Sequence, residues 1–131
     1  MIDHVTVTSR DLARSTAFYD AALQPLGLRR VVDYVDPEDE DEGGIEAVGY
    51  GAATGAPTVW VVAGAAPTSG LHLALRAENS AAVEAFFAAA LSAGGTPAQA
   101  PRRWEIYRPG YFGAMVADPD GNLIEAVTST A

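Results

Sequence analysis

Alternating hydrophobic and polar residues mark the strands of this 131-residue chain. Between residues 2 and 8 the pattern is rich in β-branched side chains, and Val5 and Val7 share one face. His4 and Thr6 share the opposite face. The same reasoning predicts further strands near residues 28–35, 46–51, 58–63, 71–75, 96–100, 111–117 and 123–128.

Two stretches have the apolar spacing of amphipathic helices, one after the first strand and one after the strand near residues 71–75. Asp11 is placed to cap the first helix, which is expected to run to about Leu23. Asn79 or Ser80 is placed to cap the second. Glycines follow both stretches, and they predict where the helices end.

This order of elements occurs twice. Shifting the chain against itself by 68 residues superimposes its only two histidines, His4 and His72. The same shift aligns Phe18 with Phe86 on the apolar stripes of the two helices. The sequence therefore predicts one strand–helix–three-strand unit in two copies.

These units predict a single α+β domain built from two tandem βαβββ modules. Module one is expected over residues 1–65 and module two over residues 69–131, with a linker at 64–69 rich in small residues. Each module would cover one face of its mixed sheet with a helix. The two uncovered faces would form a cupped, partly open β-sheet barrel with the helices outside.

The uncovered faces collect three candidate metal ligands. Period-two alternation places His4, His72 and Glu125 on those faces, whereas Ile124 points toward a helix. Two imidazoles and a carboxylate suit a divalent ion such as Fe, Mn, Zn, Ni or Co, with positions left open for substrate. The alternative is that all three are buried, hydrogen-bonded side chains without a metal.

The net charge of −9 comes largely from one segment, because seven of the 17 acids lie between Asp33 and Glu42. That run is expected to be a solvated loop, and it disfavours nucleic acid as a partner. The least charged stretch is interrupted by glycine and proline, so no membrane-spanning helix is expected. The absence of cysteine and of a signal-peptide pattern favours a cytoplasmic location.

Four stretches resemble the vicinal oxygen chelate superfamily, which includes glyoxalase I, extradiol dioxygenases and bleomycin-resistance proteins. They are Ile2-Asp-His-Val, Ser15-Thr-Ala-Phe-Tyr, Leu71-His-Leu and Asp118-Pro-Asp-Gly-Asn-Leu-Ile-Glu, and they span essentially the whole chain. The resemblance implies metal ligands at His4, His72 and Glu125. It also implies a divalent metal that chelates substrate oxygens, and usually a homodimer, with the site formed in one chain or shared between two.

Differences from individual subfamilies narrow that expectation. Glyoxalase I carries a fourth ligand, Glu or Gln, at the end of the first module, but the strand there reads Pro57-Thr-Val-Trp-Val-Val. Extradiol dioxygenases use a further histidine, and this chain has none. The fosfomycin enzymes do use two histidines and one glutamate. Their first strand is similar to His4-Val-Thr6, which makes Thr6 a candidate substrate-binding residue.

An aromatic and basic segment between residues 102 and 112 supplies the other candidates. Interpreted as a substrate wall, it predicts substrate contacts from Trp104, Arg108 and Phe112, and a phenol from Tyr107 or Tyr111 that would act with Glu125 in catalysis. Trp60 is a further candidate for that wall. The alternative is a surface loop with apolar anchors.

Two functions follow from these observations. The first is a metal-dependent lyase, isomerase, dioxygenase or antibiotic-modifying transferase that acts on a small, oxygen-rich molecule. The second is a metal-free protein of the bleomycin-resistance type that sequesters a small, cationic drug.

Overall fold

The first half of the chain folds as one strand, one helix and three further strands in a computed structural model that describes residues 1–35 and 44–129. The elements are β1 (Val5–Ser9), α1 (Leu12–Leu23), a short 3₁₀ helix (Gln24–Leu26), β2 (Arg29–Tyr34), β3 (Ala47–Gly51) and β4 (Val59–Ala63). The predicted acidic loop from Asp36 to Gly44 lies almost entirely outside the described residues.

The second half repeats this order. Its elements are β5 (His72–Arg76), α2 (Ser80–Ser92), β6 (Thr96–Arg103), β7 (Phe112–Ala117) and β8 (Leu123–Thr128). The strand orders are β1-β4-β3-β2 in the first sheet and β5-β8-β7-β6 in the second. The first and last strands of each unit pair in parallel, and the remaining pairs are antiparallel. The predicted α+β fold with two βαβββ units is therefore confirmed.

The helices begin where the sequence predicts, because local side chains satisfy their free backbone N–H groups. The Asp11 carboxylate accepts a hydrogen bond from the Arg14 N–H at 3.1 Å. The Asn79 side chain does the same for the Ala82 N–H at 2.9 Å. After the 3₁₀ helix, Gly27 has a φ of 80°, a left-handed conformation that favours glycine.

The strand bounds depend on pairing, and two of them differ by more than one residue from the predicted ones. The first strand begins at Val5 rather than near residue 2, since its first ladder bond joins the Val5 N–H to the Thr58 carbonyl. His4 therefore precedes the strand. The sixth strand continues to Arg103, beyond the predicted end near residue 100, because its last residues pair with β7.

The helices of the two units pack against each other in the core. Phe18 and Phe86 have no exposed surface, which matches their predicted equivalence. A Cβ atom on Gly95 would lie 2.7 Å from the Phe18 ring, so this residue after α2 permits the close approach of α1. In the described residues the two sheets share no strand ladder, and they stay partly open rather than closing into a barrel.

The turn between β7 and β8 joins the two units through hydrogen bonds. The buried Tyr19 hydroxyl of α1 donates a 2.6 Å hydrogen bond to Asp118, and burial raises the pKa of this phenol above its usual value. The Asn122 amide donates to the Thr68 carbonyl at 2.8 Å, and its oxygen accepts from the Leu71 N–H at 3.1 Å.

Among the described residues, no helix is long and apolar enough to cross a bilayer.

Candidate ligand site on the open face of the second sheet

Two neighbouring parallel strands bring His72 and Glu125 together. In the ladder between β5 and β8, His72 pairs with Leu123 and Ala74 pairs with Glu125, so both ionisable side chains lie on the face away from the helices. Nε2 of His72 donates a 2.8 Å hydrogen bond to Oε1 of Glu125. The alternation that predicts a shared face thus corresponds to direct contact.

The other carboxylate oxygen of Glu125 has its own donor. The Tyr111 hydroxyl donates to Oε2 at 2.7 Å. Gly113 leaves room for this arrangement, because a Cβ atom there would lie only 3.0 Å from Oε2. Glu125 is 6% exposed, so these two hydrogen bonds compensate for the water that its charge loses on burial.

Tyr111 acts as a hydrogen-bond donor rather than as a phenolate at neutral pH. Burial is the largest cause of its shift and the hydrogen bond to Glu125 the next, and together they raise the pKa of Tyr111 to about 12. A protonated phenol is the form that can hold the Glu125 carboxylate in place.

Aromatic side chains form a wall beside this pair. The ring centroids of Trp104 and Tyr107 are 5.9 Å apart, and those of Tyr107 and Tyr111 are 5.2 Å apart. The Arg108 guanidinium lies over the Tyr111 ring, with Cζ 4.8 Å from the ring centroid. Together with His72 and Glu125, these residues line a cavity of about 460 Å³, a volume typical of small-molecule sites.

Two lining residues were not predicted from the sequence. Gln99 and Met115 complete the wall of the cavity. Met115 pairs directly with Glu125 across β7 and β8, so alternation along β7 could have identified it. Gln99 lies beside a register shift in β6, where alternation gives no reliable face.

The remaining candidates lie elsewhere. Thr6 and Trp60 pair across β1 and β4, on the open face of the first sheet. Phe112 packs against the hydrophobic core and does not line the cavity. His4 is half-exposed, and its Nδ1 atom donates a 2.7 Å hydrogen bond to the carboxylate of Asp3.

One chain brings two of the three predicted metal ligands, His72 and Glu125, into contact. Two neighbouring ligands about 2.1 Å from one ion would be roughly 3.0 Å apart, close to the 2.8 Å between His72 Nε2 and Glu125 Oε1. This pair fits two ligands of a divalent ion. Across residues 1–35 and 44–129, however, no group of three or more His, Cys, Asp or Glu side chains could hold a metal.

A larger hollow of about 1110 Å³ opens at the start of α1. Arg10 and Arg14 are the basic residues along it. None of the predicted site residues lines this hollow, and it contains no cluster comparable to the one formed by His72, Glu125 and Tyr111. The cavity on the second sheet is therefore the better candidate site.

Comparison with known proteins adds a family match. The family model described as Glyoxalase/Bleomycin resistance protein/Dioxygenase superfamily matches residues 1–126. A search of curated proteins finds no match.

Solved structures share the fold over nearly the whole chain. A glyoxalase/bleomycin resistance protein from Albidiferax ferrireducens T118 is 27% identical with a TM-score of 0.73, and the match covers 95% of this chain and 94% of that one. A family enzyme from Burkholderia phytofirmans PsJN is 21% identical with a TM-score of 0.67, covering 96% of each chain. A glyoxalase-related enzyme from Fulvimarina pelagi has the same identity and TM-score, covering 97% and 86%.

Proposed function

Because the chain belongs to the Glyoxalase/Bleomycin resistance protein/Dioxygenase superfamily, we propose that it acts on a small, oxygen-rich molecule in the cavity of the second sheet. His72 and Glu125 would hold a divalent metal there. The observation that carries the proposal is the contact of these two side chains beside an aromatic wall. A cytoplasmic location remains a prediction from the sequence.

The third ligand in this proposal is His4 of a second copy of the chain. Within one chain, His4 precedes β1 in the first sheet, whereas His72 and Glu125 belong to the second sheet. The helices of the two units pack together, which leaves the open face of each sheet available to another copy. A homodimer would bring the face that carries Thr6 and Trp60 opposite the cavity.

The chain's own residues have distinct roles in this proposal. A bound divalent metal would supply Lewis-acid polarisation of the substrate oxygens. Tyr111 would fix the orientation of Glu125 through its hydrogen bond. Trp104 and Tyr107 would cover the substrate and exclude water, and the exposed Tyr107 hydroxyl could exchange a proton with it.

Metal retention tests the proposal. Protein without a histidine tag is incubated with Mn, Fe, Co, Ni or Zn, desalted and assayed for bound metal. Wild type should retain stoichiometric metal, whereas Glu125→Gln and His72→Ala should lose it, because each removes one ligand of the described pair. Tyr107→Phe is the control and should leave metal content unchanged.

Mixing variants tests whether two chains share the site. His4→Ala and Glu125→Gln should each lack metal alone. In a shared-site dimer, the mixed dimer has one site with all three native ligands, so an exchanged equimolar mixture should recover about a quarter of the wild-type content. No recovery in mixtures shown to exchange subunits would contradict the shared site. Wild type that retains no metal would contradict the metal-dependent function itself.

A metal-free binding protein is the second candidate. It is favoured by the hydrogen bonding of Glu125, since each carboxylate oxygen already has a donor, His72 or Tyr111. Such a protein would sequester a small molecule without chemistry. It predicts ligand binding that neither a chelator nor His4→Ala changes, so the same set of variants separates the two functions.

A further inference from the structure

We infer that the molecule bound in the second-sheet cavity is a planar anion, such as an aromatic carboxylate, whose charged group meets Arg108 and whose ring lies against the aromatic wall. The inference deepens the proposed function, because it concerns the same cavity. It does not depend on a metal.

The first reason is the charge of Arg108. Its Nε atom donates a 2.6 Å hydrogen bond to the Ser129 hydroxyl, which is neutral. None of the ion pairs among the described residues includes Arg108, whereas Arg103 pairs with Glu105 at 3.5 Å and Arg30 with Asp20 at 2.8 Å. A guanidinium that lines a cavity and has no carboxylate partner of its own among the described residues favours an anionic ligand.

The second reason is that this guanidinium is already oriented. The Ser129 contact holds Nε, and the Tyr111 ring lies under the guanidinium plane with Cζ 4.8 Å from the ring centroid. No further hydrogen bond of Arg108 occurs among the described residues, so its terminal amino groups have no protein acceptor there. Besides the second-sheet cavity, the side chain borders a hollow of about 690 Å³ that Ser129 and Glu78 also line. A fixed pair of donors matches the two oxygens of a carboxylate.

The third reason is the state of the acid that lines the cavity. Glu125 is the only carboxylate among the described residues that line it. Its two oxygens already accept hydrogen bonds from His72 and Tyr111. A cationic ligand would have to share these oxygens with the two donors, whereas an anion at Arg108 leaves this network unchanged. The cavity is therefore better matched to an anion than to a cationic drug.

The fourth reason is the exposed aromatic surface of the wall, where each ring offers a face although neighbouring rings are tilted by 44° and 59°. Tyr107 is 67% exposed, although its ring lies between the rings of Trp104 and Tyr111. The Arg102 guanidinium lies over the Trp104 ring, 3.9 Å from its centroid, and helps to hold it. Exposed aromatic surface beside a cavity is stabilised by a ligand with a flat face.

Three matched probes test the inference: 2-naphthoate, the neutral 2-naphthamide and the cationic 2-naphthylmethylammonium. Each is titrated by calorimetry into the full chain in the presence of a chelator, so that no metal can attract the carboxylate. Naphthoate should bind at least about tenfold more tightly than the ammonium probe. Arg108→Gln should weaken naphthoate about tenfold and leave the amide almost unchanged, and Arg108→Lys should fall between.

Arg103→Gln is the matched control. Arg103 is an exposed arginine of the same segment, but it does not line the cavity, so its loss should not change the preference. Thermal unfolding of each variant checks that the fold is retained. The inference is overturned if the ammonium probe binds as well as naphthoate, if both arginine variants weaken naphthoate equally, or if no probe binds at millimolar concentration.

The outcome is separable from that of the proposed function. If wild-type protein retains metal but shows no preference among the probes, the proposed function stands and the inference of a planar anionic ligand is contradicted. If the chain never retains metal but prefers naphthoate in a manner that depends on Arg108, the inference stands and the metal-dependent function is contradicted.

Discussion

The two units share a fold, but their open faces carry different chemistry. In the parallel ladder of the first unit, Thr6 pairs with Trp60, and at the matching place in the second unit Ala74 pairs with Glu125. A tryptophan thus occupies the position in one sheet that a carboxylate occupies in the other. The repeat preserves the helix-facing core, and it differs where a ligand would bind.

In both units a glycine on the third strand, β3 or β7, leaves space for a side chain of the next strand, β4 or β8. A Cβ atom on Gly49 would lie 2.7 Å from Pro57 and 3.2 Å from the Trp60 ring. A Cβ atom on Gly113 would lie 3.0 Å from Glu125. A glycine therefore leaves space for an indole in the first sheet and for a carboxylate in the second, although Gly49 pairs with Trp60 itself and Gly113 pairs with Val127.

The largest expected effect tests the shared part of the units. Phe18→Ala and Phe86→Ala should each lower the free energy of unfolding by about 3–5 kcal/mol, because both rings are fully buried. Urea denaturation measures both variants. Values that differ by several kcal/mol would show that the two cores are not equivalent despite their matching positions.

A smaller loss of stability should distinguish the open face of the first sheet from that of the second. Gly49→Ala should destabilise the chain by about 1–3 kcal/mol, because the new methyl group would overlap the Pro57 ring. Gly113→Ala should cost about 1 kcal/mol, since the carboxylate can shift and the Ala126 carbonyl oxygen lies 3.2 Å from the new methyl group. It should also weaken the hydrogen bond between Tyr111 and Glu125. Urea denaturation gives the stabilities. Equal stability losses with unchanged binding of the naphthoate probe would contradict this distinction.

The smallest effect concerns two tyrosines that each donate to a carboxylate. Tyr50 donates to Asp20 and Tyr111 to Glu125, both at 2.7 Å, and burial is the main cause that raises the pKa of each phenol. As the pH rises, each of these phenols therefore keeps its proton in the folded chain at pH values where a tyrosine of the unfolded chain, with a pKa of about 10, has lost it. Their contribution to stability is complete below about pH 10.

As the pH rises from there, that contribution falls, and for Tyr111 the loss is complete above about pH 12. NMR titration of tyrosines labelled at Cζ measures both phenols. Glu125→Gln should lower the pKa of Tyr111, because it removes the negative charge that opposes ionisation. It should leave Tyr50 unchanged. A shift in both tyrosines would show that the two networks are coupled.

Local signals explain what the sequence predicted well. The Asp11 and Asn79 caps determine the helix starts through contacts three residues away, so no tertiary information is needed. Period-two alternation was sufficient to place His72 and Glu125 on one face, because both strands are regular. The shift of 68 residues identified Phe18 and Phe86 as equivalent core positions.

Other features depend on contacts between distant parts of the chain. The hydrogen bond from Tyr111 to Glu125 requires the path of the segment between β6 and β7, which no local pattern fixes. The equivalence of Trp60 and Glu125 requires the strand register, since the uniform shift of 68 residues does not align them. His4 was correctly assigned to the first unit, but its strand begins one residue later.

The turn that joins β7 and β8 has a consequence for the order of folding. Thr68 is bonded to Thr8 on one side and to Asn122 on the other, and Tyr19 reaches Asp118 across 99 residues of sequence. During synthesis the first unit emerges long before this turn exists, so the linker cannot be fastened until the final hairpin has formed. Closure over so long a separation is entropically costly and slow. We therefore expect the contacts of Thr68 and Tyr19 with this turn to form late in folding.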